Sequence, residues 1–535
     1  MRIAIYDTTL RDGTQGENIN FSVEDKIRIA RRLDEFGVDY IEGGWPGSNP
    51  RDRDFFEEAK SLKLSHAKMA AFGSTRHAKN KPADDPNLRF LLESETPVVT
   101  IFGKSWNLHT ERALRVTEEQ NLEMIGSTVA YLKSSGREVI YDAEHFFDGY
   151  KASRDFAMKT LDAAAKAGAD ILVLCDTNGG TMPGEVAEMV ADVRKTFGGI
   201  IGIHTHNDSE VAVANAITAI ELGCSHVQGT VNGYGERCGN SNLMPLIANL
   251  QLKLGHECVS DENLKKLTKL ANFVADTANL QVPNGQAYVG RSAFAHKGGI
   301  HVSAVLRDAA TYEHVGPEAV GNRRRVLVSD LAGRANIFYK LEEKGWGEKL
   351  DDDARKVLLE RIKEMENQGY ELEAAEGSFE LLIREVEKPD HFLFDLEKMS
   401  VHTEKKGNER TQHKVEMAIK TRDGQRWAEE TSEGGPFDAM ATALRKCLSV
   451  PYPQIQNVRL TDYKVRVLDG HKGTAAKVRV LVTWSDGDDT WTTVGVSDDV
   501  LEASWNALCD SLKLELLRLN EANGKSEEAV TADQS

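Results

Sequence analysis

Short apolar runs alternate with amphipathic stretches from residue 1 to about 258. The runs predict strands at 2–6, 38–42, 67–72, 97–102, 138–142, 170–175, 200–204 and 225–230, as in AKMAAF, DILVLC and GIIGIH. Between them, helical spacing of apolar positions marks 22–36, 117–134, 153–167, 182–196 and 210–222. Ser22 with Asp25 three residues on is a variant capping box, and Gly37, Gly136, Gly168 and Gly223 stand where helices should stop. Eight β/α units in roughly 250 residues have the dimensions of a TIM (β/α)8 barrel. A doubly wound open sheet is the alternative; it would be favoured by a GxGxxG after the first strand, and that pattern is missing.

The rhythm changes further along. Residues 259–390 predict a helical connector, with helical patterns at 262–279 and 351–368 and an acidic start at Asp351-Asp352-Asp353. From 391 the chain alternates as strands do, in LFDLEKMSV, HKVEMAIKT and AKVRVLVTW. Asp438-Ala439 before Ala443-Leu444 is echoed by Glu502-Ala503 before Ala507-Leu508, a weak repeat in which each copy opens a helix after three strands. An α+β domain over 391–520 is expected, and a polar, disordered tail over 521–535.

Composition narrows the function. The 535 residues are 40% hydrophobic and 28% charged, which is globular and large enough for several domains. A net charge of −18 argues against a nucleic-acid partner, which needs a basic face. No apolar run approaches the length of a membrane span, and no signal peptide is visible. Six cysteines (175, 224, 238, 258, 447, 509) lie far apart without a CxxC pair, which suits reduced thiols in the cytoplasm.

The barrel reading puts the site at the carboxyl ends of the strands, where the polar residues cluster. Strand 1 runs into YDTTLRDGTQGE, in which Arg11 beside Asp12 offers a fixed cation and a hard oxygen ligand. Strand 2 ends at Glu42, strand 5 at Glu144-His145 and strand 6 at Asp176-Thr177. His204 and His206, at i and i+2 near the end of strand 7, point to one side and can grip one ion. In a closed barrel Asp12, His204, His206 and Asn240 share a sector, because strands 7, 8 and 1 are consecutive neighbours. Two imidazoles, a carboxylate and an amide suit Mg2+ or Mn2+ better than Zn2+.

DTTLRDGTQ at 7–15, HTHND at 204–208, NGYGERCGN at 232–240 and FAHKGGIH at 294–301 resemble the motifs of the metal-dependent acyl-CoA-condensing barrels, the 2-isopropylmalate, homocitrate and citramalate synthases. TQGE at 14–17 and GGWPGSNP at 43–50 are similar to the citramalate branch. Ser209-Glu210 departs from the glycine common after HND in this family, and Glu210 is expected to open the next helix. The resemblance implies pyruvate and acetyl-CoA as substrates. It also implies Arg11 at the developing alkoxide, Thr177 on the substrate carboxylate, His301 as the base and Glu144 orienting groups in the cleft. Cys238 is expected to be a small loop residue rather than a nucleophile, and Arg323-Arg324-Arg325 a solvated turn rather than a CoA phosphate contact. Tyr312 is a further candidate, and Trp106 is expected to limit the side chain of the 2-oxo acid.

Gly434, Gly435, Pro436 and Asp438 resemble the glycine-rich loop of the family's regulatory domain, which implies an amino-acid effector, isoleucine, and a homodimer. Three alternatives stand beside this reading. One is a 2-isopropylmalate or homocitrate synthase. Another is a barrel aldolase or lyase running the carbon–carbon bond the other way. The third is a non-catalytic amino-acid sensor, which the full metal set disfavours.

Overall fold

A computed structural model describes residues 1–327, 336, 339, 341, 342, 346, 349–388, 393–485 and 490–532. The chain divides into two compact units, 1–295 with 313–324, and 296–312 with 325–535.

The first unit is a closed barrel of eight parallel strands in sequential order: β1 (Ala4–Asp7), β2 (Tyr40–Gly44), β3 (Lys68–Ser74), β4 (Val98–Lys104), β5 (Glu138–Glu144), β6 (Ile171–Asp176), β7 (Ile200–Thr205) and β8 (His226–Gly229). Closure is direct, since Ala4 to Asp7 pair with His226 to Gly229. Each strand falls within two residues of its expected place. The helices do as well, as in Val23–Phe36, Glu118–Ser134, Arg154–Lys166 and Pro183–Thr196. Ser22 accepts from the Asp25 amide while Asp25 caps Ser22 in return, and Gly37 ends the first helix at φ 94°, a left-handed value that a side chain resists. Helix 212–221 starts later than expected, because Glu210 takes φ 59° in a turn instead of opening it.

Packing sorts the barrel into layers. Outward residues of the strands meet the helices in one large core that includes Ile5, Ile41, Val99, Leu174 and Ile203. The inside of the barrel carries a smaller cluster, with Tyr6, Tyr40, Ala70, Ile140, Val173 and Cys175. This plug fills the lumen below and leaves polar side chains to occupy the carboxyl ends of the strands.

The connector expected over 259–390 is split between the units. Helices Asp261–Leu264 and Leu267–Thr277 belong with the barrel, whereas Asp352–Gln368 and Glu376–Glu387 belong with the second unit. The reason is burial: Leu267, Leu270 and Val274 join the barrel core, and Leu358, Ile362 and Phe379 form a separate cluster.

The rest of the second unit is a doubled module. Strands β9 (Phe394–Glu404), β10 (Gln412–Thr421) and β11 (Gly424–Ser432) form an antiparallel sheet followed by helix Pro436–Leu448. Strands β12 (Arg459–Val467), β13 (Val478–Ser485) and β14 (Thr490–Ser497) form a second, followed by helix Val500–Ala532. The weak repeat in the sequence therefore corresponds to two like modules. The last helix corrects the tail boundary at 521. A helix already anchored by buried Leu508, Leu512 and Leu516 extends at little cost per residue, and Glu521 pairs with Arg384. Residues 533–535 lie outside the described residues. Among the described residues, no helix is long and apolar enough to cross a membrane.

Candidate metal centre and cavity

The loop after β1 delivers Arg11 and Asp12 to the barrel mouth. Buried Glu42 on β2 fixes this loop, accepting from Tyr6 Oη at 2.6 Å, from Thr8 Oγ1 and from Arg11 Nε at 2.6 Å. Arg11 Nη1 donates to Asp12 at 3.0 Å, and the guanidinium carbon lies 3.7 Å from the Phe72 ring centroid. Burial works against the Arg11 charge, but Glu42 and Asp12 outweigh it and raise its pKa. The Arg11 cation is therefore locked in place and in charge. Glu42 was visible as a strand-end carboxylate but carried no assigned role. A charged residue in a fully buried strand was the signal.

Asp12, His204 and His206 converge. The Nε2 atoms of the two histidines are 3.3 Å apart, and they lie 3.5 and 3.9 Å from Asp12 Oδ2. All three residues are buried, and their ligand atoms lie within 4.8 Å of one another. Burial pushes the Asp12 carboxyl up, yet Arg11 and then the two histidines overcome it and hold it at about 2. Burial, followed by the neighbouring His204, pushes His206 down to about 4. At neutral pH the cluster is thus a carboxylate facing a neutral His206, the protonation that a cation requires.

Unpartnered atoms test the fit. Asp12 Oδ1 and Asn240 Oδ1 are buried without a hydrogen-bond partner. Asn240 stands beside Asp12, bridges to His206 through the backbone and donates its amide to the Tyr234 carbonyl at 3.1 Å, which leaves its oxygen free. That turn needs glycine at 235, where a Cβ would come within 2.2 Å of Asn240 Nδ2. Buried oxygens without donors, beside two imidazole nitrogens, are what a divalent cation would satisfy. The four expected ligands are therefore adjacent.

The cluster opens into a cavity of about 210 Å3. Arg11, Glu144, Thr177 and Arg237 supply polar wall, and Trp45, Phe72 and Phe102 supply apolar wall. Phe72 and Phe102 stack with centroids 5.4 Å apart, and Trp45 meets both edge-on. Thr177 Oγ1 accepts from the His145 amide at 2.9 Å, so its own hydrogen is free to donate. Glu144 pairs with Lys104. Arg237 grips Asp208 with Nε and Nη2 at 2.7 and 2.9 Å and reaches the Thr177 carbonyl at 2.8 Å, which ties the loops after β6, β7 and β8 together.

Two residues that sequence reasoning left out complete the site. Gln228 on β8 lies opposite His204 in register, with its Oε1 2.8 Å from His204 Nδ1. Its Nε2 donates to Asp142 Oδ1 at 3.0 Å. Asp142 lines the cavity, and burial, with Glu42 next, raises its carboxyl to about 8.

Trp106 is not in the cavity wall. It stacks on His109 at 5.3 Å and lies tilted against His145 at 5.8 Å, because its loop turns into a short helix that carries the ring away. His301 belongs to the second unit, on helix Gly299–Arg307, where its ring stacks on Tyr312 at 4.2 Å. Cys238 is an exposed free thiol. Arg324 makes a two-point ion pair with Glu313, both bonds 2.6 Å, which fits a structural turn. In the second unit, Gly435 takes φ 124° before Pro436 opens the helix, and Asp438 accepts from Ser432 Oγ, whose oxygen accepts the Gly434 amide at 2.8 Å.

Three family models match consecutive stretches: HMGL-like over residues 2–274, homocitrate synthase post-HMGL domain-like over 288–370, and LeuA allosteric (dimerisation) domain over 373–515. The (R)-citramalate synthase of Geobacter sulfurreducens is 53% identical over 525 residues, covering 98% of this chain and 99% of that protein. The (R)-citramalate synthase of Aquifex aeolicus is 51% identical, covering 97% and 98%. The chain belongs to the citramalate synthase family. A probable 2-isopropylmalate synthase of Methanopyrus kandleri matches at 32% identity, covering 95% of this chain and 97% of that protein, well below the two citramalate synthases above. The match to these citramalate synthases thus runs from the barrel through the allosteric domain, and Asp12, His204 and His206 form a cluster in the barrel that could hold a divalent ion.

Proposed function

We propose that this chain condenses pyruvate with acetyl-CoA and water to give (R)-citramalate and CoA. One observation carries the reading: the Asp12–His204–His206 cluster and the locked Arg11 cation share a small cavity with aromatic walls. When bound, a divalent ion, Mg2+ or Mn2+ ahead of Zn2+, supplies Lewis-acid polarisation of the 2-oxo group.

The chain's own groups do the rest. Arg11, held by Glu42, faces the keto oxygen as negative charge develops there. The free hydrogen of Thr177 Oγ1 is donated to the substrate carboxylate. Phe72, Phe102 and Trp45 enclose the methyl group and leave little room for a longer chain. A base takes a proton from the acetyl methyl, and the resemblance assigns that role to His301. The methyl carbon bonds to the keto carbon, whose oxygen takes up a proton. Water then adds to the thioester carbonyl, the carbon–sulfur bond breaks, and CoA leaves as the thiol. Glu144, neutralised by Lys104, orients groups on the opposite wall.

In the second unit the GGP loop over Gly434, Gly435 and Pro436, with Asp438, takes part in control by isoleucine, and the doubled module joins two copies into a dimer. Six free thiols suit work in the cytoplasm. The test is thiol release from acetyl-CoA with pyruvate, 2-oxobutanoate, 2-oxoisovalerate and 2-oxoglutarate as acceptors, with chiral analysis of the product. Pyruvate is expected to be the best acceptor. A preference for 2-oxoisovalerate would favour the isopropylmalate reading.

A further inference from the structure

The polar column beneath the metal centre has a direction. His204 Nδ1 lies 2.8 Å from Gln228 Oε1, and Gln228 Nε2 lies 3.0 Å from Asp142 Oδ1. All three side chains are buried, Gln228 completely and the other two at 5% exposure or less. A glutamine amide offers an oxygen at one end and N–H groups at the other, so what it meets at one end fixes the other. Asp142 reaches in from β5, which is not a neighbour of β8, and Gln228 is its hydrogen-bond partner among the described residues. Gln228 turns its nitrogen to Asp142 Oδ1, which accepts as a carboxylate oxygen or as the carbonyl oxygen of the protonated carboxyl, and its oxygen to His204. Nδ1 of His204 must then carry the proton. The lone pair is left on Nε2, the atom 3.5 Å from Asp12. His206 has no such support, since its Nδ1 is buried without a partner.

We infer that Gln228 and Asp142 are positioning residues of the metal centre, which hold His204 in the tautomer whose Nε2 can bind the ion. Without the relay, His204 is free to protonate Nε2 and spend it on Asp12, so that the ion competes with a hydrogen bond for two of its ligands at once. This inference rests on the metal centre described above.

The test is a titration of the metal-free full-length protein with Mn2+, reading free ion by electron paramagnetic resonance, with Tm recorded for each variant. Gln228→Met keeps the volume and removes the acceptor, and should weaken the Mn2+ Kd by about 10–100-fold, the usual effect of removing such outer partners. Gln228→Glu keeps an acceptor opposite Nδ1 and should retain a Kd close to that of the unmodified protein. Asp142→Asn lets either amide orientation stand, and should weaken binding in the same direction but less; it serves if Gln228→Met does not fold. A purely packing role predicts a lower Tm with an unchanged Kd, and that result in either weakened variant overturns the relay. An unmodified chain that takes up no Mn2+ would overturn the metal centre as well.

Discussion

The barrel mouth and the doubled C-terminal module handle polar groups in opposite ways. At the mouth, unpartnered buried atoms gather at one point: Asp12 Oδ1, His206 Nδ1 and Asn240 Oδ1. In the module, the polar groups of the glycine loop satisfy one another, as Ser432 does with Asp438 and Gly434. The unpartnered Trp484 and Trp491 indole nitrogens there belong to one cross-strand pair between β13 and β14. Leaving buried polar atoms unpaired costs about 1–3 kcal/mol each, so their concentration at one place marks a site held ready for an ion. The module holds no comparable cluster among the described residues. The candidate metal cluster thus lies in the first unit, and the stretch matching the allosteric domain model lies in the second.

That contrast is broken most severely by removing a ligand. His204→Ala or His206→Ala should abolish turnover while circular dichroism and Tm show a folded protein, with a loss of Mn2+ affinity beyond the roughly 10–100-fold of outer-partner changes. Full activity of either variant in metal-limited buffer would contradict the assignment. Arg11→Lys comes next. Lysine cannot bridge Glu42 and Asp12 at once, and kcat should fall by about 10²–10³-fold, as when one oxyanion donor is lost.

The third expectation concerns the walls. Phe72→Ala or Phe102→Ala should raise kcat/KM for 2-oxobutanoate relative to pyruvate by about 10–200-fold, the range for a methylene-sized pocket change. Trp106→Ala should leave that ratio unchanged. A shift produced by Trp106→Ala alone would place the pocket elsewhere.

The replacement of Trp106 by Phe72 and Phe102 shows where the sequence was opaque. Strand positions were legible because each is a short apolar run closed by a helix and a glycine, and HxH at a strand end could point only one way. Phe72 and Phe102 sit inside such runs and read as core. Asp142 and Gln228 sit inside them too, and a barrel strand gives no local sign of which polar residue faces the lumen. Trp106 is conspicuous in a polar loop, but its contacts with His109 and His145 decide its direction. In the module the repeat was legible because each copy opens its helix alike, whereas the helix at 521 is held by Glu521 meeting Arg384 far back in the chain.

The smallest effect sharpens the other side of the contrast. Gly435 has no neighbour within 4 Å of where a Cβ would stand, so its φ of 124° is the constraint. Gly435→Asp should raise the isoleucine concentration for half-inhibition by about 5–150-fold, the span of a typical coupling energy, and leave the uninhibited rate near normal. Leucine serves as the control. An identical response in parent and variant would separate the loop from regulation.

The central claim is that the barrel cavity performs a metal-dependent condensation selective for pyruvate. Its most direct measurement is free thiol released from acetyl-CoA by the metal-free full-length protein, with and without added Mn2+, across the four 2-oxo acids. The account predicts release that requires the ion and is fastest with pyruvate. Release independent of any divalent ion, or fastest with a longer 2-oxo acid, would contradict it.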